Sequence, residues 1–416
     1  MSAKPASSSP SLLSSRFVQV ILMSTLFLQI GIWVRNIAIL LYVKKMTHDD
    51  AFAVSLISVA EYAPIFVFSF IGGTFADRWR PKRTMVSCDL LSALSILVIL
   101  LAMAYGSWKV VFFATFVSSI LSQFSQPAGL KLFKLHVPEQ LLQKGMSAYQ
   151  TLFAVFMILG PVVGMFVYQR YGIETAIGIM GVAFLLSAAS LAFLPRDRKD
   201  EGERGKSQVL EDIKAGFRYI RSRPILRKLG GGFFAVGLGF GLIQPLGIFL
   251  ITERLGRSEA DLQWMSLING VAMIIGGGIA MGLGSKLSPQ KLLAFSMAVV
   301  GLTVIGMGVS THYGLTLGLQ FVSGLVFPCI NIGINTLMMK NTEEAYIGRV
   351  NGILSPLFTG SMVISMTLSG VLKNTLSLVT VFVLAGVFIL LGVAVLAPLM
   401  KLKASGAPLA GTSEKA

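Results

Sequence analysis

The stretch Gly73-Thr74-Phe75-Ala76-Asp77-Arg78-Trp79-Arg80-Pro81-Lys82-Arg83 decides how the rest of this chain is read. It leaves a long apolar run through small residues, sets one carboxylate at the boundary and then crowds four cations into six positions. Gly73 and Ala76 allow a neighbouring helix to come close, as small residues do in membrane packing. Asp77 is suited to accept hydrogen bonds from a facing helix N-terminus, where the helix dipole favours an anion. Arg78, Arg80, Lys82 and Arg83 hold the turn on the cytoplasmic side, where lipid headgroups are anionic. The charge run by itself also fits an ordinary cationic stop at a helix end; the order of residue types around it argues for more.

The composition says which solvent surrounds that turn. Of 416 residues 54% are apolar and only 13% charged, with mean hydropathy +0.76. A soluble domain has about 25% charged residues, so the chain is expected to be an integral membrane protein. The net charge of +16 does not make it a nucleic-acid binder, because the cations sit in short loops between apolar runs. Cys88 and Cys329 both fall inside apolar stretches, so no disulfide framework is implied. Residues 1–16 are Ser-rich and polar and are expected to be a disordered cytoplasmic N-terminus. The apolar run after them is too long for the core of a signal peptide and is read as the first span.

Spans are expected near 17–42, 52–76, 84–105, 109–129, 146–168 and 174–194, and again near 229–251, 262–284, 291–310, 313–338, 351–371 and 376–400. This divides the chain into an N-terminal half, 17–194, a cytoplasmic linker, 195–228, a C-terminal half, 229–400, and a cytoplasmic tail, 401–416. Within the linker Ile213, Phe217 and Ile220 recur at helical spacing, which predicts an amphipathic helix over Leu210–Arg221 lying on the inner membrane surface. With an even number of spans both termini share a side, and 27 of the 35 Lys and Arg fall on it. Seven fall opposite, and Arg35 is intramembrane. The positive-inside rule therefore puts both termini in the cytoplasm of a cell living behind a plasma membrane.

The halves also read as copies. Arg80-Pro81-Lys82 recurs as Ser288-Pro289-Gln290, 208 residues on, and Pro138-Glu139-Gln140-Leu141-Leu142 as Thr342-Glu343-Glu344-Ala345-Tyr346, 204 on. In the second copy Ser285 stands at the position of Asp77 and Lys286 at that of Arg78. The stretch quoted first resembles the signature loop between helices 2 and 3 of the major facilitator superfamily, G-x-L-A-D-R-x-G-R-K. Gly73, Ala76, Asp77, Arg78 and Lys82 match it, whereas Phe75, Arg80 and Pro81 depart from it. Gly348-Arg349-Val350-Asn351 and Phe124-Ser125-Gln126-Pro127-Ala128 are similar to elements of that superfamily's drug- and macrolide-efflux branch. Gly160-Pro161-Val162-Val163-Gly164 resembles the core of its antiporter motif, G-P-x-x-G-G, although Ala154 and Phe156 stand where further glycines belong. A packing kink at Pro161 is the simpler reading of the same residues.

The resemblance implies an all-α integral membrane protein of twelve transmembrane helices in two six-helix repeats, with a substrate site between the halves. It implies a cytoplasmic gate at Gly73, Asp77, Arg78 and Lys82, and an exporter that exchanges its substrate against protons. Asp89, about one turn into span 3, is expected to partner the cationic segment 78–83 and so to belong to that gate.

Ionisable residues within a membrane are costly and usually functional. Arg35 in span 1 and Glu61 in span 2 lie at depths only a few Å apart at about 1.5 Å per residue, so an Arg35–Glu61 pair is geometrically feasible. Pro64 frees a backbone carbonyl near Glu61. Glu61 is the expected proton site and Arg35 the group that tunes it; a static pair holding the two spans together is the alternative. The expected cavity residues are Gln29, Trp33 and Asn36, then Gln123 and Gln126, and in the second half Gln244, Asn269, Asn331 and Asn335. Each polar one also fits a plain helix-to-helix hydrogen bond.

The three histidines lie in predicted loops, no Cys/His cluster has metal spacing, and Gly276-Gly277-Gly278 lacks the ending of a phosphate loop. No cofactor, metal, nucleic acid or enzymatic chemistry is expected. The expectation is a monomeric, proton-coupled secondary transporter exporting amphipathic small molecules of the multidrug or macrolide type, with anionic lipid at its cytoplasmic face. Export of an endogenous product such as a siderophore, peptide or lysophospholipid is the alternative. A receptor or scaffold that keeps the fold without turnover is another.

Overall fold

The computed structural model describes residues 16–69, 80–105, 108–137, 139–194, 209–284 and 287–400. Gly73, Asp77, Arg78, Ser285, Lys286 and both terminal segments lie outside the described residues. The helices are α1 Arg16–Met46, α2 Ala51–Ser69, α3 Pro81–Ala104, α4 Trp108–His136, α5 Glu139–Ala192 and α6 Val209–Ser222. They continue with α7 Pro224–Ile243, α8 Leu262–Gly284, α9 Pro289–Val309, α10 Tyr313–Lys340, α11 Ile347–Thr375 and α12 Leu378–Met400. Among the described residues 11 helices are long and apolar enough to cross a membrane, which accords with the demand of a lipid core that backbone groups be satisfied within each segment.

One of these, Leu141–Ala192, has 52 residues, far more than the roughly 20 a bilayer needs. Gly172, at φ 77° and ψ 179°, interrupts it. That backbone conformation favours glycine, the residue without a Cβ. The two spans expected at 146–168 and 174–194 thus occupy one helix broken at Gly172.

α1 packs against α5, α3 against α4 and α5, and α2 against α4. In the second half α9 packs against α10 and α12, α8 against α10, and α7 against α11 and α12. The halves meet where α2 lies along α11 and α8 lies against the first part of α5. Small residues permit these approaches: a Cβ on Gly370 of α11 would lie 2.5 Å from the carbonyl oxygen of Ala51.

The first half has two apolar clusters rather than one. Val34, Ala38, Ile96, Ile99, Val111 and Ile177 belong to one, and Val18, Ile21, Met85, Leu132, Phe133 and Leu191 to the other. Four packed helices pass from one cluster to the other, and between the two α1 carries Ser24, Thr25 and Gln29, α3 Asp89 and Ser92, α4 Ser118, Ser119 and Ser125, and α5 Ser187, all buried. A polar band therefore crosses the half, and it borders the cavity described below.

The linker helix α6 packs one face on the second half. Its Gly216 sits against Ile353 and Arg349 of α11 and its Ile220 is buried, so this face docks on protein. Phe217, 59% exposed, is left on the outer side. Tyr219 stacks on Tyr346 at 4.3 Å between ring centroids, and Arg223 pairs with Glu343 at 2.6 Å.

Candidate functional site

A cavity of about 750 Å³ opens between the halves, within the range of small-molecule sites. The first half supplies most of its polar wall. Along α4, Ser118, Ser122 and Ser125 recur at helical spacing and line it together with Ser119 and Gln123. Pro161, Tyr149, Phe153 and Met157 of α5 add an apolar side. From the second half come Phe240 and Gln244, then Asn269 and Met273 of α8, and Gln320 and Phe327 of α10.

Gln244 stands where α7 gives way to a 3₁₀ turn, Gln244–Leu246, followed by a π-helical turn, Leu250–Arg254. Pro245 has no N–H to donate and its ring crowds the preceding turn, which accounts for the break. Gln244 Nε2 comes within 3.4 Å of the Tyr62 hydroxyl of α2, a contact between halves at the cavity wall.

Arg35 and Glu61 meet through an intermediary. Arg35 is 4% exposed and directs its Nε and one terminal nitrogen to Asn36 Oδ1, at 3.0 and 2.8 Å. Its other terminal nitrogen donates to Ser118 Oγ of α4 at 2.9 Å. Asn36 Nδ2 then donates to Glu61 Oε1 at 2.5 Å. No direct Arg35–Glu61 ion pair occurs among the described contacts; the amide of Asn36 accepts from the cation and donates to the carboxylate. α1, α2 and α4 are joined by this chain at the cavity wall.

Among the described residues Asp89 forms no ion pair with Arg80, Lys82 or Arg83. Only 2% exposed, it accepts a hydrogen bond from Ser187 Oγ of α5 at 2.6 Å, and Ser187 Oγ lies 2.7 Å from Ser24 Oγ of α1. Lys82 instead donates its Nζ to the carbonyl oxygens of Ala192, at 2.9 Å, and Leu194, tying the start of α3 to the end of α5. Asp89 faces the cavity.

The Gly160-Pro161-Val162-Val163-Gly164 element carries α1 at close range. A Cβ on Gly160 would lie 2.3 Å from the indole ring of Trp33, and one on Gly164 would lie 2.8 Å from the carbonyl oxygen of Trp33. Trp33 is thereby laid flat against α5 while it lines the cavity.

Of the expected cavity residues, Gln29, Trp33, Asn36, Gln123, Gln244 and Asn269 line it. Asn331 and Asn335 are exposed and lie outside its lining. The side chain of Gln126 lies outside the described part of α4. Ser118 and Ser187 escaped the sequence reading, although the serines of span 4 carried a legible signal in their helical spacing.

A bundle of membrane-length helices around a cavity of mixed polar and apolar lining, between two sets of spans, fits a membrane transporter. Residues 21–244 and 229–415 match the profile of the Major Facilitator Superfamily, and the chain belongs to that family. It is 26% identical over 353 residues to the uncharacterized MFS-type transporter YkuC of Bacillus subtilis, covering 81% of each chain. It is 24% identical to the multidrug efflux pump Tap of Mycolicibacterium fortuitum, over 80% of this chain and 84% of that one. To macrolide efflux protein A of Streptococcus pyogenes it is 23% identical, over 84% and 88%. A crystal structure of a POT family transporter superposes with a TM-score of 0.72 over 94% of this chain and 97% of that one, at 14% identity, a likeness of fold.

Proposed function

We propose that this chain is a proton-coupled exporter of amphipathic small molecules that works by alternating access across a plasma membrane. The observation that carries the reading is the chain Arg35–Asn36–Glu61 in the wall of the cavity between the halves. Burial disfavours a charged carboxylate and a nearby cation favours it. A rocking motion that draws Asn36 away from Glu61, or admits water to it, lets Glu61 take up a proton in one state and release it in the other. Each ligand then binds the two states differently, which coupling requires. The relatives named for multidrug and macrolide efflux support the direction of transport and the kind of cargo.

On this reading Leu141–Ala192 crosses twice, giving twelve spans, and the two halves are repeats. The packing of α3 on α4 and α2 on α4 has its counterpart in α9 on α10 and α8 on α10, which supports that layout. Both termini are cytoplasmic, the protein acts as a monomer, and Gly73, Asp77, Arg78 and Lys82 form the cytoplasmic gate beside anionic lipid.

The test is substrate uptake into inside-out vesicles under an imposed proton gradient. Glu61→Gln should abolish uphill accumulation while counterflow stays measurable. Normal accumulation by Glu61→Gln would reduce the Arg35–Asn36–Glu61 chain to a structural tie.

A further inference from the structure

We infer that Asp89 receives the positively charged group of the transported molecule, and that the cargo is an amphipathic cation with a compact charged head and a large apolar body. The inference rests on the cavity being the transport site and adds a residue and a substrate class to it.

Three observations carry it. Asp89 lies in the polar band of the first half, bordered by apolar clusters on both sides, so its carboxylate is held away from bulk water. One of its oxygens is fixed. Ser187 donates its hydroxyl proton to Oδ2, and Ser24, 2.7 Å away, is left to donate to Ser187. This Ser24–Ser187–Asp89 chain runs from α1 through α5 to α3 and sets the plane of the carboxylate. The other oxygen, Oδ1, has no hydrogen-bond partner, and no Lys or Arg forms an ion pair with Asp89 among the described residues. Asp89 meanwhile lines the cavity.

The charge balance of the wall points the same way. Among the described residues its charged members are Arg35, Glu61 and Asp89. Arg35 makes three hydrogen bonds, two to Asn36 and one to Ser118, and Asn36 donates to Glu61, so this cation is engaged at Glu61 rather than at Asp89. One carboxylate is left without a cation. An uncompensated buried charge is costly, and a cation placed beside it removes that cost only if it is itself accommodated. A lipophilic cation meets both conditions, because Tyr149 and Phe153, their ring centroids 4.9 Å apart, line the same cavity as Asp89 and supply aromatic surface for the apolar body of such a cation. An inorganic cation would bring no apolar body to bury against those rings.

The experiment is equilibrium binding to the purified full-length chain in detergent, without any gradient, so the outcome does not depend on coupling at Glu61. The probes are 4-phenylbutylammonium, a cation with a compact charged head, and 4-phenylbutanol, a neutral molecule of the same bulk. Wild type should prefer the cation. Asp89→Asn should lose about tenfold or more of its affinity for the cation, the equivalent of one step of about 1.4 kcal/mol, and keep its affinity for the neutral probe. Asp89→Glu should retain the preference for the cation. Retained neutral binding shows that Asp89→Asn is folded. Equal binding of the cation by wild type and Asp89→Asn overturns the inference, and so does an equal loss of both probes. If Glu61→Gln, rather than Asp89→Asn, removes the preference, the cation is held at the Arg35–Asn36–Glu61 chain and the inference also falls.

Discussion

Lys44 of α1 holds Asp49 of its own half and Glu259 of the other half at the same distance, 2.7 Å. Its side chain is 7% exposed, so the pair across the halves is better shielded than an ordinary surface bridge. His48 and Asp49 both take positive φ, 53° and 66°, and this tight turn carries Asp49 back to Lys44. The same end of the bundle is joined again by Ser55 and Ser369, 2.9 Å apart, and by Asn374 against Asp50 at 3.4 Å. If the halves part here, as the proposed alternating access requires, Lys44 would keep Asp49 and lose one partner rather than two.

Lys44→Met should therefore loosen this closure without unfolding the protein. An exposed pair contributes about 0.2–1 kcal/mol; a shift of about 1 kcal/mol changes a population roughly fivefold. A cysteine at Ser55 should react several-fold faster with an impermeant thiol reagent in Lys44→Met than in the parent. A bifunctional thiol crosslinker between cysteines at 44 and 259 should arrest transport. Unchanged reactivity together with transport through the crosslink would show that this end does not open.

The contact of Trp33 with α5 makes a pair of opposite predictions. Gly160→Ala puts a methyl into the indole ring of Trp33, and overpacking of this kind costs about 1–3 kcal/mol. Adding Trp33→Ala should recover most of that loss, because the clash is with the side chain. Gly164→Ala meets the Trp33 backbone carbonyl at 2.8 Å, so Trp33→Ala should not rescue it. Thermal unfolding of the parent, the three single variants and the two doubles in one detergent reads the two couplings. Equal rescue at both glycines would contradict this packing.

The linker helix is held by an aromatic stack with a cation on each outer face. Arg223 lies 5.4 Å from the Tyr219 ring, Tyr219 stacks on Tyr346, and Arg349 lies 5.2 Å from the Tyr346 ring. Tyr219 also accepts the backbone N–H of Glu343 at 3.0 Å. Tyr219→Ala should release α6 from the second half, since the stacked pair contributes about 0.5–1.5 kcal/mol beyond its buried area. Amide hydrogen exchange over 209–222 should then accelerate several-fold while α11 stays protected. No change in exchange would mean that Gly216 and Ile220 suffice to hold the helix.

Orientation is tested independently of transport. Cysteines at His48 and His312 should be labelled by an impermeant thiol reagent on intact cells, and one at His136 should not. The reverse pattern would invert the proposed topology.

The apolar runs, the polar linker and the ionisable residues set within the runs are determined by the chain alone. A lipid core admits only long, apolar, self-satisfied helices, and it makes each Arg, Glu or Asp among them conspicuous. The family was legible for a related reason, since Gly73 to Lys82 and Gly160 to Gly164 are local patterns. What the chain could not show is the direction each helix faces. Depth along a span brought Arg35 and Glu61 level, but it could not show that Asn36 would stand between them. Depth likewise suggested that Asp89 would meet the cations at 78–83, whereas the rotation of α3 turns it toward Ser187, 98 residues away. In α6 the period marked Ile213, Phe217 and Ile220 as one face, and only the arrival of α11 separated buried Ile220 from exposed Phe217. Hydrophobicity belongs to each residue and survives in the sequence. The rotation of a helix is set by which distant surface it packs against, and that is decided only when the chain has folded.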